Sequence, residues 1–325
     1  MLTYVGFRRP SLRNKITASH SRMLASMSTS PSLLSQPRTA AIIGVGLLGG
    51  SVGLSLRKQW PELTVIGTSR TAATRDAAVA AGCVTSATAD EHAACEAADW
   101  VFLCTPVGRI AEKAIELAPC VAETGIITDV GSTKRQIVEQ IERDLVARSK
   151  FVGSHPIAGG EKTGPQHARE DLFQAKQVIV TPTAQTDSRR LAAVCQLWQL
   201  LGANVQTLSP ERHDERLAGI SHATHFASCA IASILRDEEI PLIGSGWRDT
   251  TRVAAGDPQM WTDIALQNAL PIAARLRAIQ TQLDAFIRVM ESGDQETLKN
   301  LLTEAQQLRQ GVPTPSAVSV ADSDC

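Results

Sequence analysis

The feature that most restricts what this chain can fold into is a glycine-rich turn between an apolar run and a helical pattern, residues 39–56, TAAIIGVGLLGGSVGLSL. Ala40 to Ile43 reads as a buried strand; Gly44, Gly46 and Gly49 follow in G-x-G-x-x-G spacing, and Leu48, Val52 and Leu56 recur on one helix face. In such a turn the first glycine permits a tight bend. The second lets a pyrophosphate approach the backbone, and the third lets the helix pack closely on the strand. The helix amino terminus then presents free N–H groups and a partial positive charge to phosphates. Gly44, Gly46, Leu47, Leu48 and Gly49 are therefore candidate dinucleotide contacts.

The alternation of strand and helix continues well past this turn. Leu63 to Gly67 forms a second strand that runs into Thr68, Ser69 and Arg70. A site that prefers NAD carries an acidic residue near this point, whereas a 2′-phosphate calls for a cation, so Ser69 and Arg70 favour NADP over NAD. A helix spans residues 72–81 and is closed by Gly82. Asp99 to Thr105 is a buried strand stopped by Pro106, which sets Thr105 and Pro106 against the nicotinamide ribose. Gly125 to Val130 leads into Gly131, Ser132, Thr133 and Lys134, then a helix with Ile137, Val138, Ile141 and Leu145 at helical spacing. Further strands lie at residues 151–155, 177–181 and 204–207, with a helix from Ser188 to Leu201. Strands separated by crossover helices specify an α/β Rossmann domain, a doubly wound, mainly parallel sheet.

At Ser209 and Pro210 the pattern changes to helices only, with a serine cap and a proline at the first helical position. Segments 211–235, 258–268, 271–292 and 295–309 carry it. The division expected is a dinucleotide-binding domain over 39–208 and a helical substrate and dimerisation domain over 209–311, with the cleft between them. Residues 312–325 form a polar tail. Residues 1–38 contain Arg8, Arg9, Arg13, Lys15, Arg22 and Arg38 and no acid, a composition suited to an organelle targeting segment or to a disordered extension upstream of Met23 or Met27.

Composition narrows the function. With a net charge of −1 no global field draws the chain to nucleic acid or membrane, and no apolar run reaches spanning length. The 7 cysteines are scattered without C-x-x-C spacing, which points to a reducing, cytoplasmic setting and away from disulfides and zinc. His213, His222 and His225 lack a carboxylate triad and the right helical spacing for a metal site, so no metal is expected.

Phe151 to Gly164, FVGSHPIAGGEKTG, carries the most chemistry. His155 ends a strand on the ligand side of the sheet, where it is placed to accept a proton or to bond a loop carbonyl structurally. Glycines 159, 160 and 164 surround Glu161 and Lys162. Together with the glycine turn, the G-S-T-K at 131–134, S-H-A-T-H at 221–225, D-T-T-R at 249–252 and D-P-Q-M-W at 257–261, this segment resembles the TyrA family, the prephenate and arogenate dehydrogenases, over about residues 39–310. No attached chorismate mutase or ACT domain is visible, so the resemblance is to the monofunctional form.

The resemblance implies NAD(P)-dependent oxidative decarboxylation of prephenate to 4-hydroxyphenylpyruvate, or of arogenate to tyrosine, by a homodimer. It assigns His155 as acceptor of the substrate hydroxyl proton, and Ser132 as a bridge between that hydroxyl and the nicotinamide. Ser132 also suits a helix cap. It points to Arg252, ahead of nearby Arg248, as the guanidinium that clamps a carboxylate. On the 211–235 helix, 100° spacing groups Asp214, Ala218, Ser221 and His225 on one face and Leu217, Ile220, Thr224 and Ala227 on another. His225, Asp214 and Glu161 are thus candidate substrate contacts, and His155 and Arg252 are expected to converge on one cavity. A β-hydroxyacid dehydrogenase would need a lysine on the first helix of the helical domain, and none occurs between Lys176 and Lys299. A non-enzymatic dinucleotide sensor would not need His155, Ser132 and Arg252 together.

Overall fold

Five strands built largely from Ala, Val, Ile, Leu and Phe are apolar on both faces, and such strands are stable only with helices packed on either side. The computed structural model describes residues 36–160 and 162–312, all within one unit. The expectations for 1–38 and 312–325 therefore fall, but for their innermost residues, outside the described residues. So does Glu161.

The elements in chain order are β1 (Thr39–Ile43), α1 (Leu47–Gln59), β2 (Thr64–Thr68), α2 (Ala72–Ala80), β3 (Ser86–Thr88), α3 (Glu91–Glu96), β4 (Trp100–Leu103), α4 (Ile110–Leu117), β5 (Ile126–Asp129), α5 (Arg135–Ile141), α6 (Leu145–Lys150), β6 (Phe151–Pro156), β7 (Gln177–Thr181), α7 (Ser188–Leu200) and β8 (Asn204–Thr207). The strands form one eight-stranded sheet ordered β3-β2-β1-β4-β5-β6-β7-β8, parallel throughout except where β7 runs antiparallel to β6. Chain order reverses between β1 and β4, so a crevice opens there at the carboxyl ends of the strands. Side chains alternate between two cores. Ala40, Ile42 and Phe102 pack on one face with Trp198 and Phe173, and Ala41, Ile43 and Leu103 pack on the other with Ile110 and Ile137.

Two local readings change. The helix expected to run from Ile137 through Leu145 is two helices: Asp144 accepts from the N–H groups of Val146 and Ala147 and restarts the chain as α6, which leaves Leu145 68 % exposed. The three-residue edge strand β3 and the short helix α3, capped by Asp90, lack enough periodic residues to announce themselves.

The helical region follows with α8 (Pro210–Leu217), α9 (Ala223–Ser233), α10 (Ser245–Thr251), α11 (Pro258–Gln267), α12 (Ala269–Ser292) and α13 (Gln295–Gln310). Ser209 caps α8 through the N–H of Arg212. Between α8 and α9 the chain makes one π-helical turn, Ala218–His222. A π turn adds a residue to the helix and rotates everything beyond it, so faces drawn at a constant 100° fail here. Ile220, expected in the apolar stripe, is 75 % exposed, whereas His222, outside both expected stripes, is 1 % exposed. No helix among the described residues is long and apolar enough to cross a membrane.

Candidate active site

The glycine turn has the shape a dinucleotide requires. Gly44 has φ +100°, and a side chain there would stand 2.7 Å from the carbonyl oxygen of Cys104; at Gly49 it would stand 2.2 Å from that of Gly44. These two glycines are sterically required. Around Gly46 nothing lies within 4 Å, which leaves room for a phosphate to approach the backbone. Gly46 precedes α1 without a side-chain cap, so the first N–H groups of this 13-residue helix remain available to an anion. The N–H groups of Gly44 and Val45 donate to the Thr68 carbonyl at 3.2 and 3.0 Å, tying the turn to the end of β2.

The hydroxyls of Thr68 and Thr105 are buried without a hydrogen-bond partner among the described residues. Orphaned donors beside a glycine cradle fit a polar ligand such as a nicotinamide dinucleotide. Ser69 and Arg70 follow β2 directly, and Arg75 from α2 donates to the Ser69 carbonyl at 2.7 Å. A second cation, missed in the sequence, therefore stands beside this position. Pro106 is exposed and opens the turn Val107–Arg109.

Across the crevice, β6 delivers His155. Its Nδ1 lies 2.8 Å from Nε2 of His213, whose Nδ1 lies 2.7 Å from Oδ1 of Asp214. A carboxylate only accepts, so His213 donates from Nδ1 and keeps its lone pair on Nε2. His155 must then donate from Nδ1, and its own Nε2 is left with a lone pair. Burial, the neighbouring His213, the Lys134 ammonium and His222 hold the His155 pKa well below the usual histidine range, so the ring is a neutral base.

Asp214 is the centre of this arrangement. Oδ1 also accepts from the backbone N–H of Lys134 at 2.8 Å and Oδ2 from that of Arg135 at 3.0 Å. It therefore caps α5 from another part of the chain. The position expected to touch substrate instead supports His213, since the oxygens of its buried carboxylate are already engaged. Ser132 is not the cap of α5, which starts three residues later. Held between Gly131, bonded to Asp129 Oδ2 at 2.9 Å, and the Asp214-bound amides, Ser132 is half-buried. Lys134 is fully buried in an ion pair with Asp129, whose Oδ1 accepts from Ser154 N at 2.9 Å, so the loop is fastened to β6 one residue before His155.

Ser132 and His155 line a cavity of about 430 Å³ together with Lys176, Leu217, Ser221, His222, Met260 and Trp261, among others. His222 accepts at Nδ1 from Asn268 Nδ2, 3.1 Å away, which leaves its Nε2–H as a donor; burial pushes its pKa down to about 4. Its place in the S-H-A-T-H motif was visible, but helical phase pointed it elsewhere. His225 stacks on Trp261 with ring centroids 3.6 Å apart and stands behind it, outside the cavity lining. Arg252 does not join His155. It is exposed in the turn Arg252–Ala255, which packs on α9, and does not line this cavity. The expected convergence of the imidazole and that guanidinium is not found.

A buried neutral base lining a cavity of a dinucleotide-binding fold serves hydride chemistry, in which a proton must leave the substrate as a hydride does. Fold and site thus define a two-domain, dinucleotide-dependent oxidoreductase. The family model for the prephenate dehydrogenase nucleotide-binding domain matches residues 52–207, and that for the prephenate dehydrogenase dimerization domain matches 209–304. The prephenate dehydrogenase of Bacillus subtilis is 32 % identical over 282 residues, 85 % of this chain and 76 % of that one. Prephenate dehydrogenase from Aquifex aeolicus, solved with hydroxyphenyl propionate and NAD+, is 31 % identical with a TM-score of 0.79, covering 85 % of this chain and 98 % of that one. Arogenate dehydrogenase from Synechocystis is 31 % identical with a TM-score of 0.72, over 84 % and 99 %. The chain belongs to the prephenate dehydrogenase family.

The histidine cluster makes the fold acid-sensitive. Burial is the largest cause lowering the pKa values of His155, His213 and His222. Unfolded, each would titrate near 6.5, so the unfolded chain binds protons first as pH falls. Stability is complete above about pH 6.5 and is lost as pH drops toward the folded values. His222 alone, moving from 6.5 to about 4, accounts for up to about 3 kcal/mol. The urea midpoint should fall between pH 7.5 and 5, and fall less in His222→Gln; a midpoint independent of pH would contradict the buried neutral cluster.

Proposed function

We propose that this chain oxidises prephenate to 4-hydroxyphenylpyruvate with loss of CO2, and that NADP is preferred over NAD. The observation that carries the reading is His155, neutral by burial and fixed by the His213–Asp214 chain so that its Nε2 keeps a free lone pair, in a cavity that Ser132 also lines. The nicotinamide, when bound, supplies the hydride acceptor. The residues of Gly44 to Gly49, with Thr105, Pro106 and Ser132, would hold it, and the unpartnered Thr68 and Thr105 hydroxyls fit that task.

The substrate hydroxyl gives its proton to His155 Nε2 as hydride leaves C4. The bond to the ring carboxylate then breaks, CO2 departs, the electron pair left behind completes the aromatic ring as a phenolate, and the imidazolium returns the proton to that oxygen. Burial does two things for that step. It keeps the imidazole unprotonated at neutral pH, and it excludes water that would compete for the proton. Transfer to Nε2 makes an imidazolium beside His213, and the Asp214 carboxylate beyond it stabilises the charge. Ser132 lines the same cavity and is placed to orient the hydroxyl, while His222 Nε2–H is a donor for an oxygen of the side chain.

Arogenate differs by an ammonium in place of the side-chain keto group. An ammonium calls for a carboxylate, and among the described residues lining the cavity there is none, which favours prephenate. Arg70 and Arg75 beside Ser69, with no acid at this point, favour NADP. The exposed Ile234, Leu242 and Leu270, at 77, 84 and 82 %, support a homodimer through the helical region, which sedimentation at twice 34.7 kDa would bear out. The six free cysteines among the described residues suit a reducing, cytoplasmic setting.

Reduced-cofactor absorbance with prephenate and arogenate, each with NADP and NAD, tests the reading. His155→Asn should lower kcat by about 10²-fold or more with KM little changed. An unaltered kcat would remove the base. Ser69→Asp should raise the NAD/NADP ratio of kcat/KM; a ratio that stays put would leave the cation argument without support.

A further inference from the structure

Hydride passes only between carbons held in close approach. On the reading above the nicotinamide rests on Thr105 and Pro106, beyond β4, and the substrate hydroxyl on Ser132, beyond β5, so the relative height of two loops sets that approach. The sheet controls the height only up to a point. The last ladder partners of the two strands are Leu103 and Asp129, followed by one bond from Val130 N to the Leu103 carbonyl at 3.2 Å. Beyond it no backbone hydrogen bond joins the two loops among the described residues. The link comes instead from the helical region. Gln267, the last residue of α11, reaches between them: its Nε2 donates to the Val107 carbonyl at 3.1 Å, and its Oε1 accepts from the Thr133 hydroxyl. A carbonyl can only accept, so the amide turns its NH2 to Val107 and its oxygen to Thr133.

We propose that Gln267 is a positioning residue for hydride transfer, whose single amide clasps the turn beside the nicotinamide to the loop of Ser132 and holds their spacing. The inference rests on the seats for cofactor and substrate given above. Both ends of the clasp are rigid. Thr133 is fully buried and the N–H of Lys134 after it is held by Asp214, while Val107 packs in one core with Ile110 and Ile264. α11 is also seated closely on the turn, since a Cβ added at Gly108 would stand 3.4 Å from Asp263 Oδ2. Met260 and Trp261 of the same helix line the cavity, so one helix supplies both a wall for the substrate and the link between the loops. Gln267 itself stands outside the lining. Its loss therefore lets the two loops drift apart without removing a contact to either ligand, and a small misplacement of reacting carbons costs turnover far more than affinity.

The test is steady-state kinetics of Gln267→Met, Thr133→Val and the double variant with NADP and whichever of prephenate and arogenate the wild type oxidises, beside calorimetric titration of NADP and thermal melting. Gln267→Met keeps the length of the side chain and removes both bonds. It should lower kcat by about tenfold or more, with the substrate KM and the NADP Kd within about twofold of the wild type. Thr133→Val removes one of the same bonds from the other side and should also lower kcat, and the double variant should fall no further than Gln267→Met, because the bond lost is shared. Should Gln267→Met fail to fold, Thr133→Val carries the test by the same split between kcat and KM. A kcat unchanged in a folded variant, or losses that add in full, overturns the clasp. So does a fall in kcat matched by equal falls in NADP affinity and melting temperature, which would mark a general loosening. A wild type that oxidises neither substrate overturns the reading of the reaction instead.

Discussion

The Asp214 carboxylate is the interaction on which the rest of the site depends. It sits 2 % exposed between the sheet domain and the helical region, and it accepts from two backbone amides of α5 and one histidine. One group thereby fixes the height of the Ser132 loop and the tautomer of His213, and through His213 that of His155. Its own carbonyl accepts from Asn268 Nδ2 at 2.9 Å, and the same amide donates to His222. Both histidines that line the cavity are therefore oriented from a single point. A charged hydrogen bond of this kind is worth more in the low-dielectric interior than at the surface, and leaving any of its partners unpaired there is correspondingly costly.

The second constraint is charge. A buried ammonium at Lys134 is tolerated because Asp129 pairs with it, and together they join the loop of Ser132 to β6. The Lys134 charge also opposes protonation of His155, in the same direction as burial. Anchoring and electrostatics thus act in concert, since the residue that fixes the loop also keeps the base free of a proton.

Much of this was legible in the sequence where local rules govern. The glycine turn, the helix start at Ser209-Pro210 and the placing of His155 at the end of a strand follow from turn chemistry and periodicity, and the structure has them where the residues put them. What periodicity could not carry was a change of period. The π turn at Ala218–His222 rotates the helix, hiding His222 in the cavity and exposing Ile220. Asp214 looked like a residue for a ligand because constant helical spacing puts it on one polar face with Ser221 and His225. That its ligand would be the end of another helix is a tertiary fact, 80 residues distant in the chain. Arg252 is a clamp by resemblance, and its turn packs on α9 outside the lining of this cavity, a placement set by tertiary packing and not by any local pattern.

Nitrogen-15 spectra of histidine-labelled protein test the central claim most directly, because the nitrogen shifts distinguish both tautomers from the imidazolium. The account predicts that His155 is neutral at pH 7, protonated on Nδ1 with a bare Nε2, and that it stays neutral as pH falls through the usual histidine range. An imidazolium at neutral pH, or a proton resident on Nε2, would contradict it.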